Sequence, residues 1–197
     1  MSKRSKVLLS TLIVAALGSV VSLGVFGLFS ATTQNSGNEI STGTVALTDN
    51  DAGSALFNVT GAKPGDSWTR CIKISYSGSL PAYVHMYPQN QPGPLAPYLD
   101  AVATKGTQPS STFPDCTGFV ANSDAQNGIF FVGLLAAAPT GSYDAGIPIN
   151  PGNQTVWNPG DSVVIKVTLT LRSDAPDSTQ GVTAGNQTIV WEARNAT

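Results

Sequence analysis

The chain of 197 residues carries 20 Gly and 13 Pro but only 10 Lys plus Arg and 12 Asp plus Glu, a charged fraction of 11 % where a soluble domain averages about 25 %. It has no basic footprint for neutralising phosphates, which argues against nucleic acid as a partner, and with 41 % apolar residues it is too hydrophobic to be disordered throughout. One domain with a real core is the expectation at this length.

Lys3, Arg4 and Lys6 precede an uncharged stretch from Val7 to Phe29, the n-region and h-region of an export signal. Val25-Phe26-Gly27 offers small residues at the minus-3 and minus-1 positions of a signal-peptidase site, so cleavage between Gly27 and Leu28 is expected. The stretch is also long enough to span a bilayer as an uncleaved anchor, the only route to the membrane that the sequence offers. Either outcome places the remainder outside the cytoplasm. That remainder has seven bases against twelve acids, a formal charge of -5. In an oxidising compartment Cys71 and Cys116 are expected to pair, closing a loop worth about 4 kcal/mol on the chain-entropy model. The alternative is two buried free thiols.

Residues 28–41 are polar apart from Leu28, Phe29, Ala31 and Ile40 and read as a flexible N-terminal segment. From residue 42 to 197 short alternating runs are separated by Gly, Pro, Asn and Asp, the pattern of a β-sandwich or barrel. The strands are expected at residues 42–48, 55–59, 68–76, 82–87, 98–105, 128–132, 163–172 and 188–193. Two of them follow the same turn, Lys63-Pro64-Gly65-Asp66-Ser67 and Asn158-Pro159-Gly160-Asp161-Ser162. Proline presets the first central turn position and glycine takes the positive φ of the second. Period two then puts Val163, Ile165, Val167, Leu169 and Leu171 on a core face and Lys166, Thr168, Thr170 and Arg172 on a wet one. The same rule turns Ile72, Ile74 and Tyr76 inward and Cys71 and Lys73 outward, so that Cys71 would tie the loop around Cys116 onto the outside of the sandwich. A Pro-rich insert is expected near residues 88–124. The only helical hint, Leu134 to Ala138, is stopped by Pro139.

His85 is the single histidine, so no two-histidine zinc site and no His-Glu-x-x-His can be built. In Tyr83-Val84-His85-Met86-Tyr87 it shares a strand face with both tyrosines. Asp49-Asn50-Asp51-Ala52-Gly53 resembles part of a calcium loop but lacks the third acid and the closing glutamate; an Asx turn between strands is the alternative reading of Asp49 and Asp51. No phosphate-cradling glycine loop opens a helix. Asn58, Asn153, Asn186 and Asn195 begin N-glycosylation patterns of the kind that arise by chance in an Asn/Thr-rich chain. No cofactor and no catalytic set is expected.

The basic start and the stretch ending Gly24-Val25-Phe26-Gly27-Leu28-Phe29-Ser30 resemble the signals cut by the SipW-type peptidase. Ser41-Thr42-Gly43-Thr44-Val45-Ala46-Leu47, the Lys63-Pro64-Gly65-Asp66 turn, Gly78-Ser79-Leu80 and the last strand, Gly185 to Ala193, resemble the TasA and camelysin family. The resemblance covers the signal, the first 60 or so residues after it and the C-terminal 40. It implies an all-β fold, a jelly-roll-like antiparallel β-sandwich preceded by an N-terminal signal helix, secreted to the surface of a prokaryotic cell. It also implies a subunit of a biofilm or matrix fibre built by N-terminal strand donation to a neighbouring copy, with Leu28, Phe29 and Ile40 as anchors, and it carries a metallopeptidase label through camelysin. A structural, non-enzymatic fibre subunit is the leading expectation. A surface adhesin offering Tyr83, Tyr87 and Tyr98 is the alternative, and a metallopeptidase the third.

Overall fold

Alternating apolar and polar residues produce nine strands in a computed structural model that describes residues 43–109 and 112–196. The expected signal helix, the cleavage position at Gly27 and Leu28, and the anchors Leu28, Phe29 and Ile40 lie outside the described residues. In chain order the strands are β1 (Leu47–Asp49), β2 (Ser67–Tyr76), β3 (Ala82–Pro88), β4 (Leu99–Thr107), β5 (Val120–Ala121), β6 (Ile129–Leu134), β7 (Ile147–Pro148), β8 (Ser162–Leu171) and β9 (Ile189–Asn195). Among the described residues, helical structure is confined to four single 3-10 turns, one of them at Leu135–Ala137, where the sequence hints at helix and Pro139 ends it.

All pairings are antiparallel. One sheet runs β1-β2-β8-β4, with β5 and β6 following one another along the outer side of β4, and the second runs β7-β3-β9. The chain passes between them repeatedly, from β2 to β3, back to β4, across to β7, back to β8 and finally to β9. That interleaving is the expected jelly-roll-like sandwich.

The repeated Pro-Gly turns account for the centre of the first sheet. Gly65 and Gly160 take φ of 93° and 89°. The Asp66 and Asp161 carboxylates accept the N–H of Lys63 (2.9 Å) and of Asn158 (2.7 Å), closing the two turns in the same way. The strands they launch then pair with each other, from Ser67 opposite Thr170 to Ser75 opposite Ser162. Inward-facing Ile72, Ile74, Tyr76, Val163 and Ile165 meet Ala82 and Val84 of β3, with Ile149 and Trp157 closing the core. Burying one such aliphatic side chain stabilises the fold by about 1.5–3 kcal/mol. Trp157 is fully buried, and its indole N–H donates to the Ile149 carbonyl (2.5 Å), satisfying the one polar atom it brings in. On the opposite face Thr69 and Thr168 share a hydroxyl hydrogen bond, as do Ser67 and Thr170, both 2.9 Å.

Two expected strands differ. Residues 42–48 shrink to β1 because Thr44 and Ala46 bond the N–H groups of Ser79 and Ser77, beyond the end of β2. Residues 55–59 form no strand, although Leu56 packs on the core. The edge of β2 they would join is occupied, with the Lys73 N–H bonded to the Asn50 side chain (2.8 Å) and the Cys71 N–H to the Pro114 carbonyl (3.0 Å).

The Pro-rich region is more than an insert, since β4 lies within it as an interior strand between β8 and β6. Residues 113–121 fold back over the outer face of the same sheet, whereas the start of the region runs beside the segment before β9, with Gln89, Gly93 and Leu95 donating to the Thr188, Ala184 and Thr183 carbonyls. Cys71 points outward as alternation requires, yet it is only 2 % exposed, because the bonded Cys116 (Cα–Cα 5.2 Å) draws residues 113–121 over it. Phe119 lies beneath the Lys166 ammonium (4.7 Å), and Gly106, lacking a side chain, admits the Phe119 ring and the Val120 carbonyl. The expected wet face of β8 is therefore dry at its start, where Val164 is buried.

Candidate functional site

Among the described residues, a group of chemistry-bearing side chains gathers on the outer face of the second sheet. Period two in β3 brings Tyr83, His85 and Tyr87 to that face, and antiparallel register sets Arg194 opposite Tyr83 and Glu192 opposite His85. The 3-10 turn Tyr143–Ala145 covers them. The His85 ring stacks on Tyr143 with centroids 4.0 Å apart, its Nδ1 is 2.8 Å from the Tyr143 carbonyl oxygen, and the Arg194 guanidinium lies 3.9 Å from the centroid of the same tyrosine.

The hydrogen bonds of this cluster set its charges. Tyr87 donates its hydroxyl to Glu192 (2.7 Å) and Arg194 donates to the other carboxylate oxygen (2.9 Å). Burial pushes the Glu192 carboxyl up, but these two bonds and the neighbouring Arg194 guanidinium outweigh it and hold the group below its ordinary range. Donating a hydrogen bond to Glu192 and being buried raise the Tyr87 phenol, and burial raises that of Tyr143. His85 Nδ1, the Tyr87 hydroxyl, Glu192 and Arg194 thus have partners within the cluster, which suits a clamp holding Tyr143–Ala145 against the sheet. Tyr83 is 43 % exposed, whereas Tyr87 is buried and Tyr98 half-buried, so the three tyrosines do not form one aromatic surface.

A metallopeptidase centre, implied by the camelysin label, requires three protein ligands around the ion. The residues do not fit it. His85 is the chain's one histidine and is engaged with Tyr143, Glu192 is engaged with Tyr87 and Arg194, and both cysteines are joined in a disulfide. Among the described residues no three His, Cys, Asp or Glu side chains converge. Asp49 and Asp51 are brought together as a pair, and each caps a turn: Asp49 accepts the Asp51 N–H (3.3 Å) and Asp51 the Gly53 N–H (2.6 Å). Burial and the neighbouring Asp51 raise the Asp49 carboxyl, although the Asp51 N–H opposes them. This is the Asx-turn arrangement.

Sequence reading overlooked the edge of β6. Its sequence, Ile-Phe-Phe-Val-Gly-Leu, contains no charge and no proline. One side pairs with β4, and on the other no backbone partner is present among the described residues. Val132 is 72 % and Ile129 40 % exposed. Other edges of the sandwich carry the usual deterrents to strand addition. β1 has three residues and ends on Asp49, β7 has two and includes Pro148, and β9 carries Glu192 and Arg194. The signal available in the sequence was the gatekeeper-free run itself.

Comparison with curated proteins finds no match. The sequence model of the family described as camelysin metallo-endopeptidase matches residues 4–87. The chain is therefore similar to the camelysin family over that segment, from its basic start to the middle strand of the second sheet.

Proposed function

We propose that this protein is an exported structural subunit that assembles head to tail into a cell-surface or extracellular-matrix fibre, each copy donating its N-terminal segment as a strand to the next. It acts without catalysis and without a cofactor.

The observation that carries this reading is the placement of two edges in one sheet. The segment preceding Gly43 leads directly into β1, at one end of the order β1-β2-β8-β4-β6, and the unguarded edge of β6 stands at the other end. A donor at one edge and an acceptor at the opposite edge make a heterologous contact, which propagates as an open filament unless its rotation closes a ring. Main-chain hydrogen bonds along β6 would supply affinity, and Ile129 and Val132 the apolar contacts for Leu28, Phe29 or Ile40. The match to the camelysin family over residues 4–87 supports the resemblance from which this reading starts. The unsuitability of His85, Glu192 and the cysteines as metal ligands supports the absence of a peptidase role.

Negative-stain microscopy of the mature protein is expected to show filaments, and deletion of residues 28–41 to leave monomers. A mature form that stays monomeric at high concentration, with the deletion changing nothing, overturns the proposal. The adhesin alternative is weakened by the burial of Tyr87, which leaves Tyr83 as the exposed member of its three tyrosines.

A further inference from the structure

Lys105, Asn122 and Asp124 meet where β4 receives the chain leaving β5. The Asn122 N–H donates to the Lys105 carbonyl (3.1 Å), extending by one residue the ladder in which Gly106 faces Ala121 and Thr107 faces Val120. Directly opposed residues of an antiparallel pair project to one face with Cβ atoms about 4.5–5.5 Å apart, within the span of a lysine side chain. The Lys105 ammonium is held 3.2 Å from an Asp124 carboxylate oxygen and donates to the Gly152 carbonyl (3.0 Å). Both side chains of the ion pair are largely withdrawn from water, at 16 % and 14 % exposure. The Asn122 amide nitrogen, on the residue opposite Lys105, is buried with no hydrogen-bond partner. A buried donor left so costs about 1–3 kcal/mol and calls for a reason.

We propose that Lys105 and Asn122 condense into an intramolecular isopeptide bond, with Asp124 carrying the protons. The Asp124 carboxylate accepts the proton that the Lys105 ammonium must lose; withdrawal from water favours this transfer, against the N–H groups of Gly128 (2.6 Å) and Gln126 (3.2 Å), which with Lys105 hold the carboxyl below its ordinary range. The neutral amine attacks Cγ of Asn122, and a new Cγ–Nζ bond forms. The carboxyl group delivers its proton to Nδ2 and receives the one that Nζ sheds. The Cγ–Nδ2 bond breaks, and ammonia departs, carrying the remaining proton as ammonium. No oxidant or co-reactant is needed. The product has lost the orphaned amide nitrogen and keeps one N–H for Asp124 or the Gly152 carbonyl. The bond would join β4 to β5 covalently, beside the disulfide that fixes the same region to β2.

Mass spectrometry of the full mature protein under reducing conditions tests this. The intact mass is expected to fall below the sequence mass by one ammonia, and digestion to release a branched peptide linking Lys105 to Asn122. Lys105→Arg and Asn122→Ala are each expected to restore the unreacted mass, and Asp124→Asn, which keeps both reacting groups, to slow or abolish the loss. Wild-type protein that melts cooperatively and still has its full sequence mass after prolonged incubation overturns the proposal. So does a deficit that survives Lys105→Arg, because a succinimide at Asn122-Ser123 loses the same ammonia without lysine. Neither result depends on whether the protein forms fibres.

Discussion

Replacing Val132 by lysine tests the acceptor edge without touching the core. Val132 is 72 % exposed and lies opposite Val102 on the outer face of the first sheet, so the monomer should lose no more than about 0.5 kcal/mol. In a fibre the added strand would cover it. Full burial of a valine is worth about 1.5–3 kcal/mol, so covering the exposed 72 % contributes about 1–2 kcal/mol per junction. Losing that term raises the critical concentration for assembly by about 5- to 30-fold, and a lysine on the edge opposes pairing further. Sedimentation of filaments across a concentration series reads the shift. Thermal melting of the monomer checks that the fold is intact, and Val59→Lys, an exposed position away from any strand, provides the control. Assembly of Val132→Lys at the wild-type concentration would show that β6 is not the acceptor.

Three further outcomes follow from the interior and the outer layer. Trp157→Phe removes the donor to the buried Ile149 carbonyl and is expected to cost about 1–3 kcal/mol for the unpaired group, plus a cavity term, seen as a lower melting temperature. Cys71→Ala with Cys116→Ala opens a loop spanning 45 positions and should cost about 4 kcal/mol, lowering the melting temperature by roughly 8–16 °C in a domain of this size; a loss of a degree or two would show that the loop is held by Phe119 and Val120 alone. Because the Glu192 carboxyl is held below its ordinary range, its contribution to stability is present above that range and lost as pH falls through the lowered folded value. Tyr87→Phe removes one of its hydrogen bonds, so its NMR titration midpoint should move up, and an unchanged midpoint would refute the assigned network.

The two Pro-Gly turns and the strands behind them were legible because each signal is local: proline and glycine fix the turn, and period two fixes the faces of Ile72, Ile74, Val163 and Ile165. The same logic placed His85 beside Tyr83 and Tyr87. It could not place Tyr143, Glu192 and Arg194 around them, because those contacts depend on which strand neighbours β3 and on where the turn before β7 lands. Residues 55–59 show the converse failure. They alternate as a strand should, but a strand needs a free edge, and Asn50 and Pro114 occupy the edge of β2.

The sequence alone determined the class of the fold, the outward direction of Cys71, and the single histidine that rules out a two-histidine zinc site. Local propensity and composition suffice for such features, since neither depends on distant neighbours. Only the tertiary structure decided that the outward cysteine would be buried, that β4 would become an interior strand, and that Lys105 would meet Asn122 and Asp124. It also decided that an uncharged run near the middle of the chain would end at an open edge of the sheet. These are properties of strand order, and strand order is set by the pairing of residues far apart in the chain.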